Sequence, residues 1–151
     1  VVELGAGALT LPEPRTASKA EAGRLLEAAA ATTYALEVAA ARVGPDDRPA
    51  LSAALGAHDE VRRQLYVLAG SAAAPPAGGY VLPFPVTDAA SARRLAATVL
   101  AAFTDALVAG VAAAVGHADA MQTLLGWASR AQTAAHGLGA PMRAFPGLAA
   151  R

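Results

Sequence analysis

The connections between four alanine-rich segments, which are short, long and short in turn, constrain this chain more than any other feature. Alanine fills about three positions in ten. Because alanine has the highest helix propensity and runs of β-branched residues are missing, each segment is predicted to be an α-helix. Four prolines exclude a helix from the long connection. The predicted helices cover about residues 18–43, 47–69, 88–115 and 118–137, and the long connection covers 70–87.

The length of the middle connection decides the topology. At ~3.1 Å per residue an extended connection of this size reaches about 50 Å, whereas helix two, at ~1.5 Å per residue, is only about 35 Å long. The connection can therefore return along the whole bundle, which leaves helices two and three parallel. The short loops make the other sequential pairs antiparallel hairpins. The sequence predicts an all-α, up-down-down-up four-helix bundle over residues 18–148, with a long Pro-rich crossover, after an irregular leader at 1–17.

Capping residues and helix breakers mark the predicted helix ends. A capping box from Ser18 to Glu21 is predicted to start helix one. Within the crossover, the apolar stretch from Tyr80 to Phe84 is predicted to pack on the bundle surface. The remaining boundary signals are Gly44-Pro45 after helix one, Asp46 or Asp47 before helix two, Gly70 after it, Thr87 or Asp88 before helix three, and Gly116-His117 before helix four.

The charge balance argues against nucleic acid as a partner. The chain carries 12 basic and 12 acidic residues, so its formal net charge is zero. Nucleic-acid-binding domains usually show a basic excess or a basic stripe. The pairs Arg62-Arg63 and Arg93-Arg94 are therefore interpreted as solvated helix faces, and no nucleic-acid partner is expected.

Cysteine content and hydropathy bear on the compartment. Cysteine is absent, which excludes disulfides, thiolate metal sites and cysteine nucleophiles. Charged residues interrupt the apolar runs before they reach about 18–20 residues, so no membrane span is predicted. A cytoplasmic location is expected. Because the sequence opens Val1-Val2-Glu3 without Met, export after removal of a signal peptide is the alternative.

One strongly polar residue, His58, falls on the apolar stripes of the predicted helices. Aligning the two hairpins by level places His58 beside Thr32 or Thr33 and brings Phe103 and Trp127 to the same depth. A lone histidine on an apolar stripe is interpreted as a neutral core residue bonded to one of these threonines; the alternative is a ligand or general base. The candidate ligand pocket at this level comprises Thr32, Thr33, Tyr34, His58, Phe103 and Trp127.

Four-helix bundles with this helix connectivity often hold two metal ions in the core, so the sequence was examined for a di-metal centre. Such centres use inward-facing glutamates and two Glu-x-x-His motifs, and this sequence contains no Glu-x-x-His. In Glu60-Val61-Arg62-Arg63 an arginine stands where the motif needs histidine. The sequence therefore predicts no metal, no cofactor and no catalytic constellation. Glu27 and Arg63 are predicted to form an ion pair across the first hairpin.

Three stretches carry a resemblance to a known family: Ala57-His58-Asp59-Glu60-Val61-Arg62-Arg63, the Pro-rich segment from Tyr80 to Pro85, and Phe145-Pro146-Gly147-Leu148. From about Arg24 to Leu148 the chain resembles small, alanine-rich actinobacterial proteins of the ferritin-like superfamily, a domain family of unknown function. The resemblance implies a ferritin-like bundle that forms a dimer. It implies no metal site, because the ligand positions of ferritin are filled here by Arg63, by Phe103 or Thr104, and by residues near Trp127.

Two functional hypotheses follow from these observations. The first is a non-catalytic helical module that binds an unidentified protein partner or itself. It is suggested by an apolar face of small residues on helix one, outside the core stripe. Such a face lets helices approach closely in a homodimer. That face comprises Ala31, Tyr34, Val38 and Ala41. The second hypothesis is a small-molecule binder or degenerate di-metal oxidoreductase with its pocket around His58.

Overall fold

A computed structural model describes residues 16–75 and 77–144 of this chain. These residues form four α-helices. No strand occurs in these two ranges. A 3₁₀ turn, Gly70–Ala72, follows the second helix. The helices are α1 (Thr16–Ala40), α2 (Arg48–Ala69), α3 (Ala89–Ala113) and α4 (Ala118–Gly137). The all-α prediction is confirmed, and α4 has the predicted bounds.

The helix neighbours confirm the up-down-down-up topology. α1 packs against α2 and α3, while α4 packs against α3 and α2. Gly110, near the end of α3, lies against Leu25 near the start of α1 and Leu124 near the start of α4. Gly23 in α1 lies against Ala72, just after α2. Each neighbouring pair is therefore antiparallel, and α2 and α3, both antiparallel to α1, run parallel to each other.

The bundle core divides into two clusters along its length. The first lies toward the loop between α1 and α2, and its large members are Leu36, Leu51, Leu95, Leu100 and Leu138. The second lies toward the loop between α3 and α4, and its large members include Leu25, Leu65, Phe103, Leu107 and Trp127. Alanines fill the spaces between these side chains, which lets the helices approach closely.

The predicted start of helix one was wrong. α1 begins at Thr16, so Ser18 lies inside the helix and the predicted leader is shorter by two residues. Glu21 accepts a hydrogen bond from Arg24 Nε at 2.9 Å, one turn along the same helix. That bond to a cation lowers the pKa of the Glu21 carboxyl. The capping box would have required the Glu21 side chain, but Glu21 instead forms a salt bridge with Arg24, three residues further along the helix.

The two other predicted caps differ in chemistry. Asp47 precedes α2, but its side chain accepts no capping hydrogen bond, and its Oδ1 lies 3.4 Å from Arg93 Nη1. Asp88 caps α3 through a reciprocal box with Ser91, because Asp88 Oδ1 accepts the Ser91 amide at 2.7 Å. Ser91 Oγ in turn accepts the Asp88 amide at 3.0 Å. A hydrogen bond from the Ser91 hydroxyl to Asp88 Oδ1, at 2.7 Å, lowers the pKa of the Asp88 carboxyl, and the bond from the Ser91 amide adds to this effect.

The crossover packs on the bundle with alternate side chains, as an extended chain must. Tyr80, Leu82, Phe84 and Val86 are half-buried, whereas Val81 is 99% exposed. The predicted packing is therefore confirmed except at Val81 and Pro83, which are exposed on the opposite side of the extended backbone.

Arginines hold the crossover and the end of α4 against the bundle. The pair Arg93-Arg94 is exposed on α3, as predicted, and both guanidinium groups also contact other parts of the chain. Arg94 lies over the Phe84 ring at 4.4 Å from its centroid. Arg42 donates to the Val86 carbonyl at 2.7 Å. Arg93 Nε donates to the Leu138 carbonyl at 3.0 Å. All three guanidinium groups therefore interact with other parts of this chain, two with backbone carbonyls and one with an aromatic ring.

The apolar character of α3 exceeds what the sequence pattern suggested. Of the helices described, one, α3, is long and apolar enough to cross a membrane by length and composition. In the bundle this helix buries Leu95, Leu100, Phe103 and Leu107 against its neighbours. Core helices of soluble proteins meet the same criterion, so the finding is weak evidence for a span.

The Phe145-Pro146-Gly147-Leu148 stretch and most of the predicted leader lie outside the described residues.

Candidate functional site

His58 is a buried core residue, but its partner is not a threonine. Its side chain is 4% exposed, and Nε2 lies 2.8 Å from the backbone carbonyl of Ala29 on α1. Since a carbonyl only accepts, Nε2 carries the proton and donates. Thr32 and Thr33 donate to carbonyls one turn back in their own helix, at 2.9 and 3.0 Å. The predicted histidine–threonine bond is wrong because a helical threonine reaches its own i−4 carbonyl more easily.

The other mid-bundle residues pack around this histidine. The rings of His58 and Phe103 meet edge to face, with centroids 4.7 Å apart and an interplanar angle of 77°. Phe103 and Trp127 are both buried in the same core cluster. The structure thus brings His58 and Phe103 together, in the layer that the level alignment predicted.

Tyr34 lies apart from the mid-bundle layer. Its side chain is partly exposed, and its ring centroid lies 5.9 Å from that of Tyr80 in the crossover. Val38, one turn further along α1, is half-buried against the first core cluster. Two of the four residues of the helix-one face proposed for a homodimer therefore contact other parts of the chain, although Tyr34 remains exposed.

Burial lowers the pKa of His58, because desolvation outweighs the hydrogen bond to Ala29 and the nearby Asp59 charge, both of which favour the imidazolium. The folded state therefore takes up a proton at lower pH than the unfolded state does. Above the unfolded value of about 6.5 both states hold neutral histidine. As pH falls below about 6.5 the unfolded state is protonated first, so stability is lost through the lower, folded pKa.

We expect the free energy of unfolding, measured by urea titration from pH 7.5 to 5, to fall by at most about 1.4 kcal/mol per pH unit on account of this residue. His58→Gln keeps a donor but does not titrate, so most of the slope should disappear. The same substitution at His117, which is exposed in the turn before α4, is the matched control for replacing a histidine outside the core. Equal slopes in wild type and His58→Gln would contradict this account.

The described residues do not fit a di-metal centre. No group of three or more His, Asp and Glu side chains in this part of the chain is placed to hold a metal ion. Arg63, at the position where the motif would need histidine, pairs with Glu60 of its own helix. The predicted ion pair between Glu27 and Arg63 is not formed, because the glutamate one turn back on α2 is the nearer partner.

A cavity lies on the outside of the bundle, where α1, α2 and the start of the crossover meet. Its volume is about 580 Å³. We call it the crossover groove, and it is lined by Gly23, Leu26, Glu27, Ala30, Arg62, Arg63, Tyr66, Val67, Ala74, Pro75, Ala77 and Tyr80. None of the six residues predicted as a mid-bundle pocket lines it.

A glycine in α1 allows the crossover to form the third wall of this groove, beside the walls formed by α1 and α2. A Cβ placed on Gly23 would lie 2.6 Å from the Ala72 carbonyl oxygen, closer than real side chains approach. The 3₁₀ turn after α2 can therefore rest on α1 only because position 23 has no side chain. Beyond that turn, Ala74, Pro75, Ala77 and Tyr80 form the third wall of the groove.

Apolar side chains supply most of the groove surface, and charged ones stand on opposing walls. Tyr66 and Val67 are 63% and 78% exposed although both are large and apolar. Glu27 belongs to the α1 wall, and Arg62 and Arg63 belong to the α2 wall. This combination of an apolar concavity with a few charged groups is typical of a ligand-binding site.

Comparison with known proteins gives the class of the domain. Residues 22–150 match the family described as domain of unknown function DUF4439. The chain belongs to this family. The predicted resemblance to a domain family of unknown function is thereby confirmed.

A solved structure shares the fold. It is the crystal structure of a conserved hypothetical protein, rv2844, from Mycobacterium tuberculosis. The TM-score is 0.75 at 25% sequence identity, and the overlap covers 82% of this chain and 96% of that chain. The comparison with curated proteins found no match.

Proposed function

We propose that this chain is a non-catalytic binding domain that holds its ligand in the crossover groove. The observation that carries the proposal is the groove itself, with its volume of about 580 Å³ between two helices and the crossover. Ligand sites in proteins commonly measure roughly 300–1,000 Å³ and combine apolar walls with a few polar groups. The exposed Tyr66 and Val67 on one wall supply apolar surface that a ligand would cover.

The proposal includes a ferritin-like origin for the bundle. One long crossover between two antiparallel hairpins is the connectivity of ferritin-like folds. At the depth where those folds hold metal, this chain packs His58 against Phe103 with Trp127 in the same cluster. The binding role is accordingly assigned to the outer face of the bundle and not to its middle.

Binding of 1-anilinonaphthalene-8-sulfonate tests the proposal at neutral pH. The folded wild type should bind the dye saturably, with one molecule per chain. Ala30→Phe, which fills the groove from the α1 wall, should weaken binding at least tenfold. The same substitution at exposed Ala53, outside the groove, should not.

Tyr66→Ala provides a second variant in case Ala30→Phe does not fold. Its side chain is exposed, so we expect the variant to fold while losing part of the dye affinity. Far-ultraviolet circular dichroism would establish that each variant is helical. Dye binding that none of the groove variants alters would overturn the proposal.

Self-association as a homodimer is a second candidate. It is favoured by three consecutive exposed apolar residues, Tyr66, Val67 and Leu68, at the end of α2. Monomeric soluble proteins rarely expose large apolar patches. Sedimentation equilibrium should then give a dimer that Val67→Asp converts to monomer; a wild-type monomer at high micromolar concentration would contradict it.

A further inference from the structure

The charged side chains of the crossover groove are arranged by sign. Glu27 stands on the α1 wall, opposite two arginines on the α2 wall. Arg62 Nη2 lies 3.3 Å from Asp59, and Arg63 pairs with Glu60. Both acidic partners belong to α2 and neither lines the groove. No salt bridge within 4.0 Å engages Glu27 in the described structure, so its carboxylate is available on the opposite wall.

The arginines keep binding capacity despite their ion pairs. A guanidinium has five N–H donors, and each of these salt bridges engages one nitrogen. Gln64 also donates to Glu60, at 2.7 Å, which holds the carboxylate that orients Arg63. The Arg63 side chain is 72% exposed. Its remaining donors can therefore meet an anionic group in the groove, and the guanidinium geometry suits a carboxylate.

A ligand of one charge would leave part of this groove unsatisfied. An anion placed against Arg63 would cover Glu27 and remove its water without supplying a donor, and a cation against Glu27 would do the same to the arginines. Burying a charged group without a partner is costly. A ligand with both signs avoids this cost on both walls.

We infer that the crossover groove binds a zwitterionic ligand with an apolar body, of the kind formed by an apolar dipeptide, with its ammonium group at Glu27 and its carboxylate at Arg63. The inference rests on the proposed function of the groove. Leu26, Tyr66, Pro75 and Tyr80 supply the apolar contacts. Two aromatic rings on the lining also suit an ammonium group, which is attracted to a ring face.

Isothermal titration calorimetry with three peptides of the same apolar body tests the inference. The probes are the dipeptide Leu-Phe, its N-acetyl derivative, which is an anion, and its C-terminal amide, which is a cation. The zwitterion should bind at least fivefold more tightly than either blocked form. Free phenylalanine is the fourth probe. If it binds as tightly as the dipeptide, a single apolar amino acid is a sufficient ligand, and the inference of a zwitterionic ligand is still supported.

Substitutions at Glu27 and Arg63 test which wall of the groove binds the ammonium group of the ligand and which binds its carboxylate. Glu27→Gln should weaken Leu-Phe binding at least fivefold and strengthen binding of the N-acetyl form, because it removes the unpartnered charge that this anion covers. Arg63→Gln should weaken Leu-Phe binding to a similar extent and strengthen binding of the amide, because it removes one of the cations that this ligand would cover. Arg130→Gln, an exposed arginine on α4 outside the groove, is the matched control and should bind all peptides as the wild type does.

The failures of the two proposals are distinguishable. Blocked peptides that bind within twofold of Leu-Phe would overturn the zwitterion inference. So would the absence of peptide binding while dye binding still responds to Ala30→Phe, and in that case the groove would stand as a site for another ligand. Dye binding that ignores every groove variant would overturn the proposed function itself.

Discussion

Replacing Phe103 by alanine is expected to lower the free energy of unfolding by about 3–5 kcal/mol, as for other large aromatic side chains removed from a core. Phe103 is 2% exposed and belongs to the cluster that includes Trp127. Its ring also meets the His58 ring edge to face. The loss therefore combines the transfer of a buried ring with the cavity that it leaves. Urea unfolding of both proteins at pH 7.5 measures the difference.

Phe84→Ala is the matched control for this prediction. Phe84 is half-buried on the crossover and contacts Arg94 from one side. Its removal exposes surface without hollowing the bundle, so the cost should be clearly smaller. A loss below about 1 kcal/mol for Phe103→Ala would mean that the middle of the bundle is loosely filled. That result would return the mid-bundle layer to consideration as a ligand pocket.

Gly23→Ala is expected to destabilise the domain although alanine is the better helix former. The new Cβ would lie 2.6 Å from the Ala72 carbonyl oxygen and 3.4 Å from the Ala72 carbonyl carbon. Because the obstacle is backbone, the 3₁₀ turn must move, and overpacking of this kind typically costs about 1–3 kcal/mol. The displaced turn should also weaken dye binding, since the crossover forms one wall of the groove.

Gly56→Ala supplies the opposite expectation. Gly56 lies within α2, and a Cβ there would meet nothing within 4 Å. Its replacement should raise the free energy of unfolding by roughly 0.5–1 kcal/mol through helix propensity alone. The two variants are thus predicted to change stability in opposite directions. If Gly23→Ala stabilised the domain as Gly56→Ala does, the close approach of Ala72 would be refuted.

The topology was predictable because it depends on lengths and breakers. The crossover is long enough to return along α2, and its prolines exclude a competing helix. Gly116 marks the turn into α4, where its φ of +90° suits glycine. The start of α1 was missed because a local capping box in the sequence does not exclude a helix that begins one turn earlier.

The site was less predictable, for reasons that particular residues make clear. The level of His58 followed from the hairpin, but its acceptor, the Ala29 carbonyl, is backbone and leaves no sequence signal. The groove depends on the return path of the crossover, which side-chain periodicity on the helices does not describe. One signal was available: Gly23 interrupts a helical segment at a propensity cost of about 1 kcal/mol, which indicates a close backbone approach.

The central claim is that this bundle binds its ligand on its outer face, in the crossover groove, and not in its middle layer. Titration of the ¹⁵N-labelled domain with 1-anilinonaphthalene-8-sulfonate, followed by amide chemical shifts, tests the claim most directly. The largest shifts should fall on Gly23, Ala30, Val67 and Ala77, which line the groove. Largest shifts on Thr33, His58, Phe103 and Trp127 would contradict the claim and place the ligand between the helices.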